Sequence, residues 1–111
     1  MGVSKKEIFT NSQNQMANYF RVLGHPARLS IIEFLLTQES CVCGDIVSEI
    51  GLAQATISQH LKELKNIGII KGTISGTKTN YCIDSEKWKQ LKTVVNSLFD
   101  KSLNCADSSC C

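Results

Sequence analysis

Residues Asp45–Ile70 read DIVSEIGLAQATISQHLKELKNIGII, and the spacing of apolar side chains in this stretch decides the fold. In its first part Ile46, Val47 and Ile50 can face inward from one short helix, which Gly51 is able to stop in a left-handed conformation. From Gln54 onward Ile57, Leu61 and Leu64 recur at intervals of four and three, the period of a second helix. That period leaves Thr56, Gln59, Lys62, Glu63 and Asn66 largely outward. Two short helices joined by the turn GLAQ make a helix-turn-helix, whose second helix would enter the major groove of DNA.

Working outward, the period changes after Gly68. The run IIKGTISGTKTNYCID is rich in Ile, Thr and Tyr and has Ser75 and Gly76 at its middle, which predicts a β-hairpin. Asp84 or Ser85 then caps a last helix carrying Trp88, Leu91, Val95 and Leu98, with Val94 and Phe99 widening the stripe. Upstream, about Ser4 to Leu23 reads as one amphipathic helix with Met16, Tyr19, Phe20 and Leu23 on its apolar side, ended by Gly24. Pro26 suits the first position of the next helix, whose Leu29, Ile32, Phe34, Leu35 and Leu36 form a broad apolar face expected at the centre of the core. The fold class expected is mainly α with a small β-hairpin, a winged helix-turn-helix. Residues 1–103 are expected to form one DNA-binding and dimerisation domain. The aperiodic NCADSSCC at 104–111 is expected to be a flexible, cysteine-containing tail.

Bulk properties set the frame for the chemistry. A chain of 111 residues, 42% hydrophobic and 20% charged, suits one small domain. Its start, MGVSKKEIFTNSQNQ, has no apolar segment like that of a secretory signal, and nowhere do roughly 18 apolar residues run together. A cytoplasmic protein with no membrane partner is therefore expected. In that compartment the six cysteines read as ligands or redox groups rather than as a disulfide frame. A net charge of +2 is too small to argue for nucleic acid in bulk, so a basic surface must come from local placement. An enzyme is not expected: a small cysteine-dependent reductase commonly needs Cys followed by Arg in an oxyanion cradle, and Arg21 and Arg28 precede every cysteine.

Near the amino end of the second motif helix, Gln54, Thr56, Ser58, Gln59 and His60 offer short or amide-bearing groups of the kind that meet base edges. Lys62 and Lys65, with Lys71 and Lys78 on the hairpin, can reach phosphates of double-stranded operator DNA. His60 can equally pack against the hairpin. A monomer would present a single reading helix, whereas a two-fold homodimer reads two half-sites. The stripes of the first and last helices, Met16, Tyr19, Phe20 and Trp88, Leu91, Val95, Leu98, either close the core or exceed it and pair subunits.

Cys41 and Cys43 stand where the chain enters the first motif helix, at an amino end that favours thiolate. Residues two apart in a helix point about 200° from each other, so both can hold one ion only if that turn is extended or distorted. Ion capture is thus expected to deform the start of that helix, and with it the reading unit. Soft thiolates suit trivalent arsenic or antimony, whereas zinc wants four ligands and often histidine. Only His25 and His60 are present.

Three segments together, LGHPARLSIIEFLL, CVCGDI and ATISQHLKELKNIGII, resemble the ArsR/SmtB family of metal-responsive repressors, and the likeness runs from roughly Phe20 to Trp88. The resemblance implies a homodimer paired through the first and last helices that leaves its operator when an inducer binds. CVC resembles the inducer site of the arsenic-responsive branch, which implies arsenite or antimonite as inducer. Three positions depart from the pattern: Ala53 stands where the family usually has Ser, the SGTK wing tip lacks an arginine often found there, and Val47 occupies the place of a third cysteine. A third sulfur is accordingly sought in Cys105, Cys110 or Cys111, from the same or the partner subunit. Those three can instead bind an ion among themselves, or serve as redox thiols or as an incidental tail. Cys82 is assigned to packing. The zinc-sensing branch uses His and carboxylates on the last helix, and the lead and cadmium branch adds cysteines before the motif; this chain has no histidine on that helix and no cysteine before Cys41. The expectation is a metalloid-responsive repressor, with a thiol-redox repressor or a Cd-, Pb- or Zn-responsive one as the alternatives.

Overall fold

Thr10 divides the amino-terminal segment. Its Oγ1 accepts from the Gln13 N–H at 3.0 Å while its own N–H donates to Gln13 Oε1 at 2.9 Å. This reciprocal cap starts a new helix rather than continuing the old one. The single helix expected from Ser4 to Leu23 is therefore two, α1 (Lys5–Ile8) and α2 (Asn11–Leu23). The computed structural model describes residues 5–41, 45–75 and 78–101, with backbone alone at 5, 6, 45, 74, 75 and 78. Cys43 and the tail cysteines Cys105, Cys110 and Cys111 lie outside the described residues, as does the tail at 104–111.

Gly24 closes α2 by donating its N–H to the Phe20 carbonyl at 2.8 Å. Pro26 then opens α3 (Pro26–Leu36), with His25 as its cap: the ring Nδ1 accepts from the Ala27 N–H at 3.1 Å. The buried side of α3 is Ile31, Ile32 and Leu35, with Phe34 half-buried, so the inward face differs from the expected one. Leu29 and Leu36 are exposed at 45% and 48%. They lie seven residues apart on one outer face, and in a run apolar on more than one side the pattern alone does not say which side packs.

The motif forms as its spacing requires. Helix α4 (Asp45–Ile50) buries Ile46 and ends at Gly51, whose φ of +83° is the left-handed conformation expected of it. Its N–H donates to the Val47 carbonyl at 2.9 Å. Helix α5 (Gln54–Asn66) buries Ile57, Leu61 and Leu64 against α3, α4 and the hairpin. The hairpin is β1 (Ile70–Ser75) antiparallel to β2 (Lys78–Ile83), in a register that runs from Ile70 opposite Ile83 to Ser75 opposite Lys78. Ile69 and Ile70 enter the core, and β2 lies beside α3.

Asp84 caps α6 (Ser85–Phe99), its Oδ1 accepting from the Lys87 N–H at 3.1 Å. Helix α6 packs on α2. Tyr19, Val22 and Leu91 are buried between these helices and the core, and Trp88 and Val95 are half-buried. Phe20 and Leu98 remain 42% and 40% exposed and Phe99 is more exposed still. Core closure thus uses one part of the two stripes and leaves another part open.

No atom lies near the place a Cβ would take at Gly51, so the cost of a side chain there is purely conformational. Gly51→Ala is expected to destabilise the protein by about 1–2 kcal/mol in denaturant unfolding, the cost of a left-handed non-glycine residue.

Candidate DNA-reading surface and thiol pair

Burial of Ile57, Leu61 and Leu64 turns the opposite side of α5 to solvent. Gln54, Thr56, Ser58, Gln59 and Lys62 all lie on that exposed side, together with Lys65. Gln54 Nε2 donates to Ser58 Oγ at 3.4 Å, one helical turn apart. Ala53 caps α5 with extended backbone and no side-chain hydrogen bond, so the free N–H groups of the first turn are left to other partners. Lys71 is exposed on β1, and Lys78 begins β2 opposite Ser75, its side chain outside what is described.

His60 does not belong to this surface. It is 8% exposed, and its Nδ1 accepts from Arg28 Nε at 3.1 Å. Its ring centroid is 4.5 Å from that of His25, at an interplanar angle of 52°. The sequence left base contact and packing on the hairpin open; the ring is buried against Arg28 and His25, and a ring committed to a guanidinium is not available to a base edge. Arg28 also donates from Nη1 to the Val22 carbonyl at 3.1 Å. One guanidinium thereby joins the end of α2, the first turn of α3 and the middle of α5. Sequence reasoning did not assign this role to Arg28; its signal was an arginine in the first turn of a mostly apolar helix.

The cysteines are arranged otherwise than expected. Cys41 follows α3 by a short loop and is disulfide-bonded to Cys82 of β2, with the Cα atoms 4.5 Å apart. Cys82 is thus a thiol partner rather than simple packing. The physical reason is topological: β2 runs beside α3 and brings together residues 41 apart in sequence. No local pattern around Cys82 carries that information. The pair opens on a groove shared with Leu36, Lys71, Trp88 and Lys89. Among the described residues no three His, Cys, Asp or Glu side chains gather as a metal site.

Residues 25–71 match the family of bacterial regulatory proteins described as the arsR family. An HTH-type transcriptional regulator of Methanocaldococcus jannaschii is 39% identical over 83 residues, which cover 74% of this chain and 92% of that protein. This chain belongs to the arsR family. A cadmium resistance transcriptional regulatory protein CadC homolog of Staphylococcus aureus is 37% identical over 89 residues, 79% of this chain and 73% of the relative. The solution structure of a homodimeric winged helix-turn-helix DNA-binding domain from Mycobacterium bovis superposes with a TM-score of 0.64 at 27% identity, covering 89% of each chain. The arsR-family protein described here is accordingly a winged helix-turn-helix transcriptional regulator. No helix among its described residues is long and apolar enough to cross a membrane.

His60 has a depressed pKa, from burial first, then from the nearby His25 and the positive charge of Arg28. The folded protein therefore holds this ring neutral where the unfolded chain, with histidine at about 6.5, already takes a proton. Stability is expected to fall as pH drops below about 6.5 and to level off once pH passes the lowered folded value. In thermal unfolding across that range His60→Asn, which keeps an acceptor for Arg28 but does not titrate, is expected to lose this slope.

Proposed function

We propose that this arsR-family protein is a cytoplasmic repressor that binds operator DNA as a homodimer and is released by trivalent arsenic or antimony. The reading face is Gln54, Thr56, Ser58, Gln59 and Lys62 on α5, with Lys78 on the wing reaching phosphate. The observation that carries the proposal is the position of Cys41: it stands in the connection between α3 and α4, the helix that supports the reading helix. Cys43 follows two residues later, and Cys105, Cys110 or Cys111 is available as a further sulfur. An all-sulfur donor set of two or three thiolates suits arsenite better than a hard or four-coordinate ion. Thiols captured by one ion at the front of α4 would pull that short helix out of the shape that seats α5 in the groove.

Dimerisation follows from α2 and α6. Phe20, Leu23, Trp88 and Val95 line an apolar cleft between them, and exposed Leu98 extends the surface. The homodimeric Mycobacterium bovis relative supports the homodimer itself.

A second reading has its own observation. Because Cys41 is bonded to Cys82, a repressor that responds to thiol oxidation is the alternative within regulation. The cadmium resistance regulator of Staphylococcus aureus makes cadmium the competing ion.

The test uses reduced protein and a duplex selected by the ion-free protein from a random pool, followed by fluorescence anisotropy. Arsenite is expected to release the parent, whereas Cys41→Ser and Cys43→Ser bind with parental affinity and need at least tenfold more arsenite. Release by cadmium or peroxide but not arsenite would overturn the metalloid assignment, and release of the double variant at the parental concentration would move the site elsewhere.

A further inference from the structure

In this fold β2 carries a sulfur to the entrance of the motif. Cys41 and Cys82 are close enough to be bonded, with Cα atoms 4.5 Å apart. They come from elements that do different work: Cys41 from the connection leading to α4, Cys82 from the strand paired with β1, where its cross-strand partner is Lys71. Both cysteines are half-buried and line a groove open to solvent, so a small solute can reach them. Two lysines, Lys71 and Lys89, line the same groove.

We infer that Cys82 supplies a sulfur ligand to the inducer site, so that Cys41 and Cys82 hold one arsenite between the α3–α4 connection and the wing. The inference rests on the arsenite reading above and replaces the tail as the first source of an additional sulfur. The sulfur of Cys82 is fixed by β-sheet pairing and already stands beside Cys41. Cys82 approaches Cys41 from another element, the strand β2.

The chemistry balances without an external oxidant. A dithiol reductant first returns the disulfide to two thiols, supplying two electrons and two protons. Each thiol then forms a bond from sulfur to arsenic, and its proton leaves with one arsenic-bound hydroxyl as water. The oxidation state of arsenic does not change. Two sulfurs displace two hydroxyls of arsenous acid, and the third hydroxyl stays on arsenic. Oxidised protein has neither thiol of the pair free, so the disulfide and the arsenite complex exclude each other at this pair.

The experiment has two arms on the full chain. In the first, reduced parent is treated with iodoacetamide with and without arsenite, and labelling at each cysteine is read by peptide mass spectrometry. Arsenite is expected to slow labelling of Cys41 and Cys82 together, by at least tenfold. In the second, Cys82→Ser and a full-length triple variant, Cys105→Ser, Cys110→Ser and Cys111→Ser, are compared with the parent for release from the selected duplex. Cys82→Ser is expected to bind the duplex with parental affinity but to need at least tenfold more arsenite for release, and the triple variant to respond as the parent does. Protection of Cys41 and Cys43 with Cys82 labelled at its free rate would overturn the inference and leave the arsenite reading standing. A parent in which arsenite neither protects a cysteine nor releases DNA would overturn both. The labelling arm needs no substitution and decides the matter even if Cys82→Ser folds poorly.

Discussion

Helix α5 is held in one rotational setting by Ile57, Leu61 and Leu64, and every statement about DNA depends on it. Each of these side chains, buried against α3, α4 and the hairpin, contributes about 1.5–3 kcal/mol. Polar contacts on the outer side, such as the 3.4 Å bond from Gln54 to Ser58, are too weak to compete. Rotating the helix to present another face would expose all three apolar residues at once. Arg28 adds a second restraint of a different kind, since its guanidinium spans from the Val22 carbonyl to His60. Through it the helix that carries the exposed Phe20 is tied to α5, which carries the proposed reading face, and in the proposed homodimer that tie would help to set the separation of the two copies of α5.

The thiols sit where they can act on that arrangement. Helix α4 is short, packs on both α3 and α5, and is entered through the segment that begins at Cys41. Cys82 stands on the wing, which packs on α5 through β1. Chemistry at the pair therefore touches both supports of the reading helix. On the proposed account the ambient redox state decides which chemistry is open: an oxidising setting favours the disulfide, a reducing one leaves the sulfurs free for a thiophilic ion. The metalloid and redox readings thus share one site and differ in what occupies it.

Much of the architecture was legible because it is written in local periods. The spacing of Ile57, Leu61 and Leu64, the left-handed Gly51, the Ile- and Thr-rich hairpin and the Asp84 cap each depend on neighbours within a few residues, and all appear as expected. The features that escaped have tertiary causes or competing local ones. Thr10 splits the first helix because a cap formed with Gln13 outweighs a continuous pattern. Leu29 and Leu36 face outward because α3 is apolar on more than one side. For His60 the sequence left base contact and packing both open, and what decides is tertiary: Arg28 and His25 approach it from α3 and its cap. Cys82 carries no local mark, and its meeting with Cys41 follows from the placement of β2 beside α3.

The central claim is that thiol capture of an ion and occupation of the groove oppose each other. Linkage makes this testable in reverse, because an ion that weakens DNA binding by some factor must itself be bound more weakly by that factor on DNA. The direct measurement is a calorimetric titration of arsenite into reduced protein, free and saturated with the selected duplex. The account predicts arsenite affinity at least tenfold lower in the DNA complex, a coupling of about 1.4 kcal/mol or more. Equal affinity in the two titrations would contradict it.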